Sequence, residues 1–211
     1  MQIVGHSAFQ INSKGDNRMK ILGVCGSHRD ESNTNKLVKK VAEASGCDFE
    51  LVYLGKLDIK PCSGCGACMM NEGQCPIQDD MQQVYEKLLQ ADALIVGGPT
   101  YFFDLNGSTK DFIDRTMAIF YRSQGPAFHP DMPWLGDRPH AGKPAVIITT
   151  VAGSGHLRTI ETLKYAFGDC SKMKIVDQLA EVVGMNDVND MPEVLKRAED
   201  AGKKLGAALK S

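Results

Sequence analysis

No stretch of this 211-residue chain is apolar for long enough to cross a bilayer. Its longest apolar runs, around Leu94–Val96 and Ala145–Thr149, have the length of a buried strand. The first eighteen residues lack the apolar segment and cleavage site of a secretory leader, so a soluble, cytoplasmic protein without a membrane partner is expected. An excess of positive charge is also missing. With 24 Lys and Arg against 26 Asp and Glu, nucleic acid is not expected as the main partner, because phosphate backbones are bound by basic surfaces. Neither the Walker loop nor G-x-G-x-x-G occurs, which excludes the usual triphosphate and dinucleotide cradles. Tryptophan is almost absent: Trp134 stands alone, inside a Pro-, Gly- and His-bearing segment, 122–142, that reads as a functional or subunit-contact loop. With no repeat or low-complexity tract, the length suits one medium domain.

Residues 1–18 form a polar extension, read as a loose arm or an upstream misread start, since Met19 opens the first patterned segment. From there strands and helices alternate. Lys20–Cys25, Phe49–Leu54, Asp92–Val96, Ala145–Val151 and a segment within Met173–Val183 read as strands. Helical spacing runs over Lys36–Ser45, from Asp79 or Asp80 through Leu89, from about Ser108 through Ile119, over Thr159–Phe167 and over Met191–Leu209. Five alternations predict an α/β fold: a doubly wound, five-stranded parallel sheet with helices on both faces, occupying 19–211. Ligands of such sheets bind beyond the carboxyl ends of the strands.

Three segments at those ends carry chemistry. Gly26 to Asn35 follows the first strand and opens the first helix, where unpaired N–H groups and the helix dipole attract a phosphate. Ser27, Ser32, Asn33 and Thr34 add short donors and Arg29 adds charge, which suits a monophosphate; the same hydroxyls and amides could instead serve as plain helix caps. Gly98-Pro99-Thr100-Tyr101-Phe102 follows the third strand, and Thr150-Val151-Ala152-Gly153-Ser154-Gly155-His156 the fourth. The Asn106-Gly107-Ser108 glycosylation pattern is read as a chance match.

Seven cysteines without a leader suit a reducing compartment, where thiols bind metal or do redox work. Four of them, Cys62, Cys65, Cys68 and Cys75, lie in a loop at 61–76, separated by Ser63, Gly64, Gly66 and Ala67, small residues that let backbone wrap closely. Two-residue gaps aim three sulfurs inward and Cys75 can close the set, as a [4Fe–4S] cluster needs. Free thiols and zinc are the alternatives, although zinc favours two separated pairs. Cys25, Cys47 and Cys170 are read as structural.

Gly26-Ser27-x-Arg29-x-x-Ser32-Asn33-Thr34, Gly98-Pro99-Thr100-Tyr101-Phe102 and Lys110-x-Phe112-Ile113-Asp114-Arg115, in this order, resemble the NADPH-dependent FMN reductase-like flavoproteins; the added cysteine cluster resembles their iron–sulfur flavoprotein branch. The resemblance implies a flavodoxin-like sheet of strand order 2-1-3-4-5, and that Ser27, Arg29, Ser32, Asn33 and Thr34 hold the FMN phosphate. Pro99, Thr100, Tyr101 and Phe102 would then line the isoalloxazine ring, a flat surface that accepts apolar contacts and a few edge donors. Thr150, Gly153, Ser154 and Gly155 bring backbone close to a planar ligand, and His156 is a candidate proton donor. The expected activity is electron transfer between FMN and the cluster, with ferredoxin or another redox protein, or a small-molecule acceptor, as partner. A cluster-free NAD(P)H-dependent reductase of quinones or nitro compounds is the first alternative, and a zinc- or redox-sensing binding module the second. A homodimer or homotetramer is expected by the same resemblance.

Overall fold

The structure is a computed structural model that describes residues 8–12, 19–122 and 138–211. The segment 123–137, with Trp134, lies outside the described residues, so the subunit-contact reading of 122–142 finds no structural account there. Its end does: Arg138 sits over the Phe120 ring and donates to the Cys170 carbonyl, and buried His140 bonds the Leu88 carbonyl. Burial holds the His140 imidazole below its ordinary pKa. Residues 138–143 are therefore packed onto the body rather than looped away from it.

The central strands are continuous apolar runs because helices cover both of their faces. β2 (Lys20–Cys25), β3 (Asp48–Tyr53), β4 (Ala93–Gly97), β7 (Pro144–Val151) and β8 (Lys174–Val182) form a parallel set in spatial order β3-β2-β4-β7-β8. This is the expected order, with one correction. A sixth strand, β1 (Phe9–Asn12), lies antiparallel on β3, so part of the supposed loose arm caps the sheet edge. Tyr53 donates its hydroxyl to Gln10 across that seam.

α1 (Asn33–Ala44) and α6 (Pro192–Ala208) cover one face. α3 (Met81–Gln90), α4 (Gly107–Thr116) and α5 (His156–Leu163) cover the other. α1 begins at Asn33, three residues before the periodicity alone suggests, because the Ser32 hydroxyl caps it by accepting the Asn35 N–H. α5 starts at His156 and passes into a wider π-helical turn over Lys164–Cys170. Two short elements complete the rim: β5 (Thr100–Tyr101) and β6 (Asp104–Leu105) form a small hairpin, and α2 (Ala67–Met70) is one turn inside the cysteine loop. Among the described residues no helix is long and apolar enough to cross a membrane.

Candidate functional site

The neighbours of β2 lead away in opposite directions, β3 to one side and β4 to the other, so the rim beyond Cys25 and Gly97 is the topological switch point. Backbone closes tightly there. Gly26 donates its N–H to the Gly97 carbonyl, and the Gly26 carbonyl accepts from Asn106 and Ser108 at the start of α4. Asn106, missed as a site residue in the sequence, is only 3% exposed and committed to this junction, which closes it to glycosylation.

Next to the junction lies a cleft of about 370 Å³, an ordinary size for a small ligand. Arg29, Ser32, Asn33, Pro99, Thr100, Tyr101 and Thr150 are brought together on its walls. Ser27 and Thr34 lie buried behind it. The Ser27 hydroxyl accepts the Arg29 N–H, while the Thr34 and Thr150 hydroxyls share a 2.6 Å hydrogen bond that joins two walls. The Thr100 hydroxyl likewise turns inward, to Thr149 and Thr159. The Asn33 side-chain amide donates to the Asn186 carbonyl and accepts the Val188 N–H. Together with the Lys36–Asp187 ion pair it holds a further wall, Gly184–Asp187, where Met185 is 98% exposed. No residue of this wall was expected, because its link to α1 spans 151 or more positions and leaves no local pattern.

What remains open for an anion is specific. The first N–H groups of α1, on Asn33 and Thr34, have no intrahelical partner. The exposed Arg29 guanidinium makes no ion pair among the described residues, whereas nearby Asp30 and Glu31 are matched by Lys56 and Lys36.

The aromatic hairpin stands at the rim. A two-residue loop, Phe102-Phe103, joins β5 to β6, and both residues have positive φ (45° and 66°), the signature of a type I′ turn. Asparagine and glycine favour that turn; phenylalanine is strained in it. Phe102 is 96% exposed and meets Phe103 edge-on, so neither serves as plain core packing. Asp104 anchors the hairpin to α5 through Arg158 and Thr162. Burial acts to raise the Asp104 carboxyl, but the Leu105 N–H and Arg158 outweigh it and hold it below the ordinary range. Phe102, Gly153, Ser154 and Gly155 flank the cleft rather than line it. Gly155 has φ +95°, and a Cβ there would stand 2.6 Å from the Phe103 Cα. His156 opens α5 with its Nδ1 enclosed and, among the described residues, unbonded.

The cysteine loop leaves the same rim after β3. Cys62 and Cys65 are exposed, whereas Cys68 and Cys75 pack partly against the core. The Ala67 N–H, then the Ser63 hydroxyl, hold the Cys65 thiol below its ordinary pKa, and burial pushes Cys68 up. Left-handed Gly64 and Gly66 turn the backbone between Cys62 and Cys68. Among the described residues no three metal-ligating groups are gathered. The donor set suits a cluster in its chemistry, four free thiols in one loop, and the Cys68 thiol lies near enough to Cys75 and Cys62 to feel their charge. Cys25 and Cys47 are buried in the core, and burial raises the Cys25 thiol strongly.

A doubly wound sheet with its cleft at the switch point defines the flavodoxin-like class. Within it, the chain belongs to the NADPH-dependent FMN reductase family, whose pattern matches residues 19–186. An iron-sulfur flavoprotein of Methanocaldococcus jannaschii is 38% identical over 104 residues, covering 48% of this chain and 53% of its own. The chain thus spans about half the length of the curated relatives it matches. The fold is shared with an archaeal flavodoxin (TM-score 0.58, 14% identity, 92% of this chain and 100% of that one). It is shared also with an FMN-dependent NADH-azoreductase of Bacillus anthracis solved with FMN (TM-score 0.63, 15% identity, 89% and 99%).

Proposed function

We propose that the chain is an FMN-dependent oxidoreductase, with residues 19–211 as one flavin-binding unit. The observation that carries the reading is the cleft itself: a helix N-terminus and the exposed Arg29 at one end, an aromatic hairpin at its rim, and small backbone between. FMN, when bound, supplies reversible two-electron and one-electron exchange. The residues present do the rest. Arg29, Ser32 and the α1 amides hold the phosphate, Tyr101 with the Phe102 hairpin offers a flat apolar surface, and the Gly153–Gly155 backbone supplies edge donors. Cys62, Cys65, Cys68 and Cys75 are the proposed cluster ligands, with ferredoxin or a similar redox protein, or a small acceptor, taking the electrons. A cluster-free NAD(P)H-dependent reductase is the second reading, favoured by the NADPH-dependent FMN reductase pattern over residues 19–186.

FMN added to apo-protein is expected to lose fluorescence on binding with 1:1 stoichiometry. Arg29→Ala should weaken that binding by about 1.5–3 kcal/mol, the worth of hydrogen bonds to a charged group. A chain that takes up no FMN ends the flavin reading. Anaerobic reconstitution with iron and sulfide separates the two readings: a broad visible absorbance lost in Cys68→Ser supports the cluster, and NADPH turnover by iron-free protein supports the alternative.

The strained turn offers a test of opposite signs. Phe102→Asn/Phe103→Gly should raise stability by about 1–2 kcal/mol, since it removes two unfavourable backbone conformations. The same change should weaken flavin binding or slow reduction. Raised stability with unaltered flavin chemistry would show that the two rings serve something other than the cofactor.

A further inference from the structure

Asp79 and Arg115 form the most deeply buried ion pair among the described residues, with side chains 0% and 1% exposed. Their contacts reach across two separated chain segments. Arg115 donates to both Asp79 carboxylate oxygens, at 2.6 and 3.0 Å, and to the Lys60 carbonyl at 2.8 Å. Asp79 in turn accepts the N–H groups of Lys60 and Met81. Lys60 lies two residues before Cys62, and Asp79 lies four residues after Cys75.

We propose that Asp79 and Arg115 are the positioning latch of the thiol loop: they clamp both of its stems, and without them the loop opens while the sheet stays folded. Among the described residues, the limb from Lys60 to Gly66 is hydrogen-bonded to the body of the protein only at Lys60. The returning limb has further ties, from Gln82 to the Cys75 and Ile77 carbonyls and from Arg122 to the Gly73 carbonyl. A buried ion pair is a poor source of stability, because desolvation consumes most of the attraction. A planar, five-donor guanidinium is well suited to fixing geometry, since it can bond a carboxylate and a neighbouring carbonyl at once. Its placement on α4 gives the latch a reference point. The start of the same helix carries Asn106 and Ser108, which hold the Gly26 carbonyl at the phosphate turn. One ten-residue helix, about 15 Å long, therefore spans from the cleft to the thiol loop. What the thiols carry rests on the function proposed above; the latch itself does not.

The test is cysteine-resolved alkylation of the flavin-free full chain, read by mass spectrometry. In the wild type Cys62 and Cys65 react at once, Cys68 and Cys75 slowly, and Cys25 and Cys47 stay protected, following their exposures. Asp79→Asn is expected to speed Cys68 and Cys75 at least about tenfold, the effect of 1.4 kcal/mol on an opening equilibrium. Cys25 and Cys47 should stay protected over the same interval. Arg115→Lys keeps the charge, loses the fork and should give the same pattern, which keeps the test usable if Asp79→Asn fails to fold. Wild-type rates at Cys68 and Cys75, or core and loop thiols reacting together in both variants, would overturn the latch. A parallel FMN titration separates the two claims: unchanged affinity in the variants agrees with a local opening, and a wild type that binds no FMN ends the flavin reading without touching the alkylation result.

Discussion

Gly26→Ala is expected to abolish measurable FMN binding, with affinity falling at least about 100-fold, or roughly 2.7 kcal/mol, and to cost about 3 kcal/mol of stability through overpacking. A Cβ at this position would stand 2.0 Å from the Thr109 hydroxyl and 2.4 Å from the Gly97 carbonyl oxygen. Neither neighbour can retreat. Gly97 is the last residue of a central strand, and its carbonyl already accepts the Gly26 N–H. Thr109 is fully buried and donates to Asn106. The turn must therefore move as a unit, carrying with it the Arg29 side chain and the α1 amides proposed to meet the phosphate. Gly107→Ala is the matched control: it lies at the same junction, with nothing within 4 Å of the new methyl. Fluorescence titration and urea unfolding of both variants check the expectation. Near-wild-type affinity in Gly26→Ala would mean that the phosphate is held elsewhere.

This junction was half legible. The buried strands announce themselves as unbroken apolar runs, and the Gly26–Asn35 segment follows the first of them, so the place of the cleft follows from order alone. What could not be read are pairings across long sequence distances. Asn33 resembles any short donor at a helix start, yet its amide is spent on Asn186 and Val188. β1 has four residues in a polar context, and only its pairing with β3 distinguishes it from a loose arm. The Phe102-Phe103 hairpin escaped for another reason: the residues that signal a type I′ turn are absent, because local preference yields there to an exposed aromatic surface. The sequence places the start of this helix at Asp79 or Asp80; Asp79 accepts the Met81 N–H there, but its larger role depends on Arg115, 36 positions away.

Arg115→Met should cost about 3–5 kcal/mol near neutral pH, since removing one member of a buried pair strands the other. The dependence on pH identifies the cause. Burial acts to raise the Asp79 carboxyl, but Arg115 and the Lys60 and Met81 N–H groups outweigh it and hold it below the ordinary range. A depressed carboxylate contributes stability above its unfolded pKa, at about pH 4, and loses it as pH falls through the folded value. In the variant the main stabiliser of the charge is gone, so protonation of Asp79 relieves the penalty instead. The gap between the two proteins should be widest above about pH 5 and should narrow below about pH 4. Urea midpoints at several pH values measure it, and a gap that does not change with pH would assign the cost to lost packing. Asp79→Leu/Arg115→Met then divides stability from placement. An apolar pair of similar volume commonly restores what the single change removes, and the Arg115 Nε, which has no partner among the described residues, no longer burdens the core. Leucine and methionine cannot bond Lys60, however. The double variant should therefore recover most of its unfolding free energy while Cys68 and Cys75 remain fast to alkylate, as expected if the ion pair is kept for where it puts the loop and not for the stability it confers.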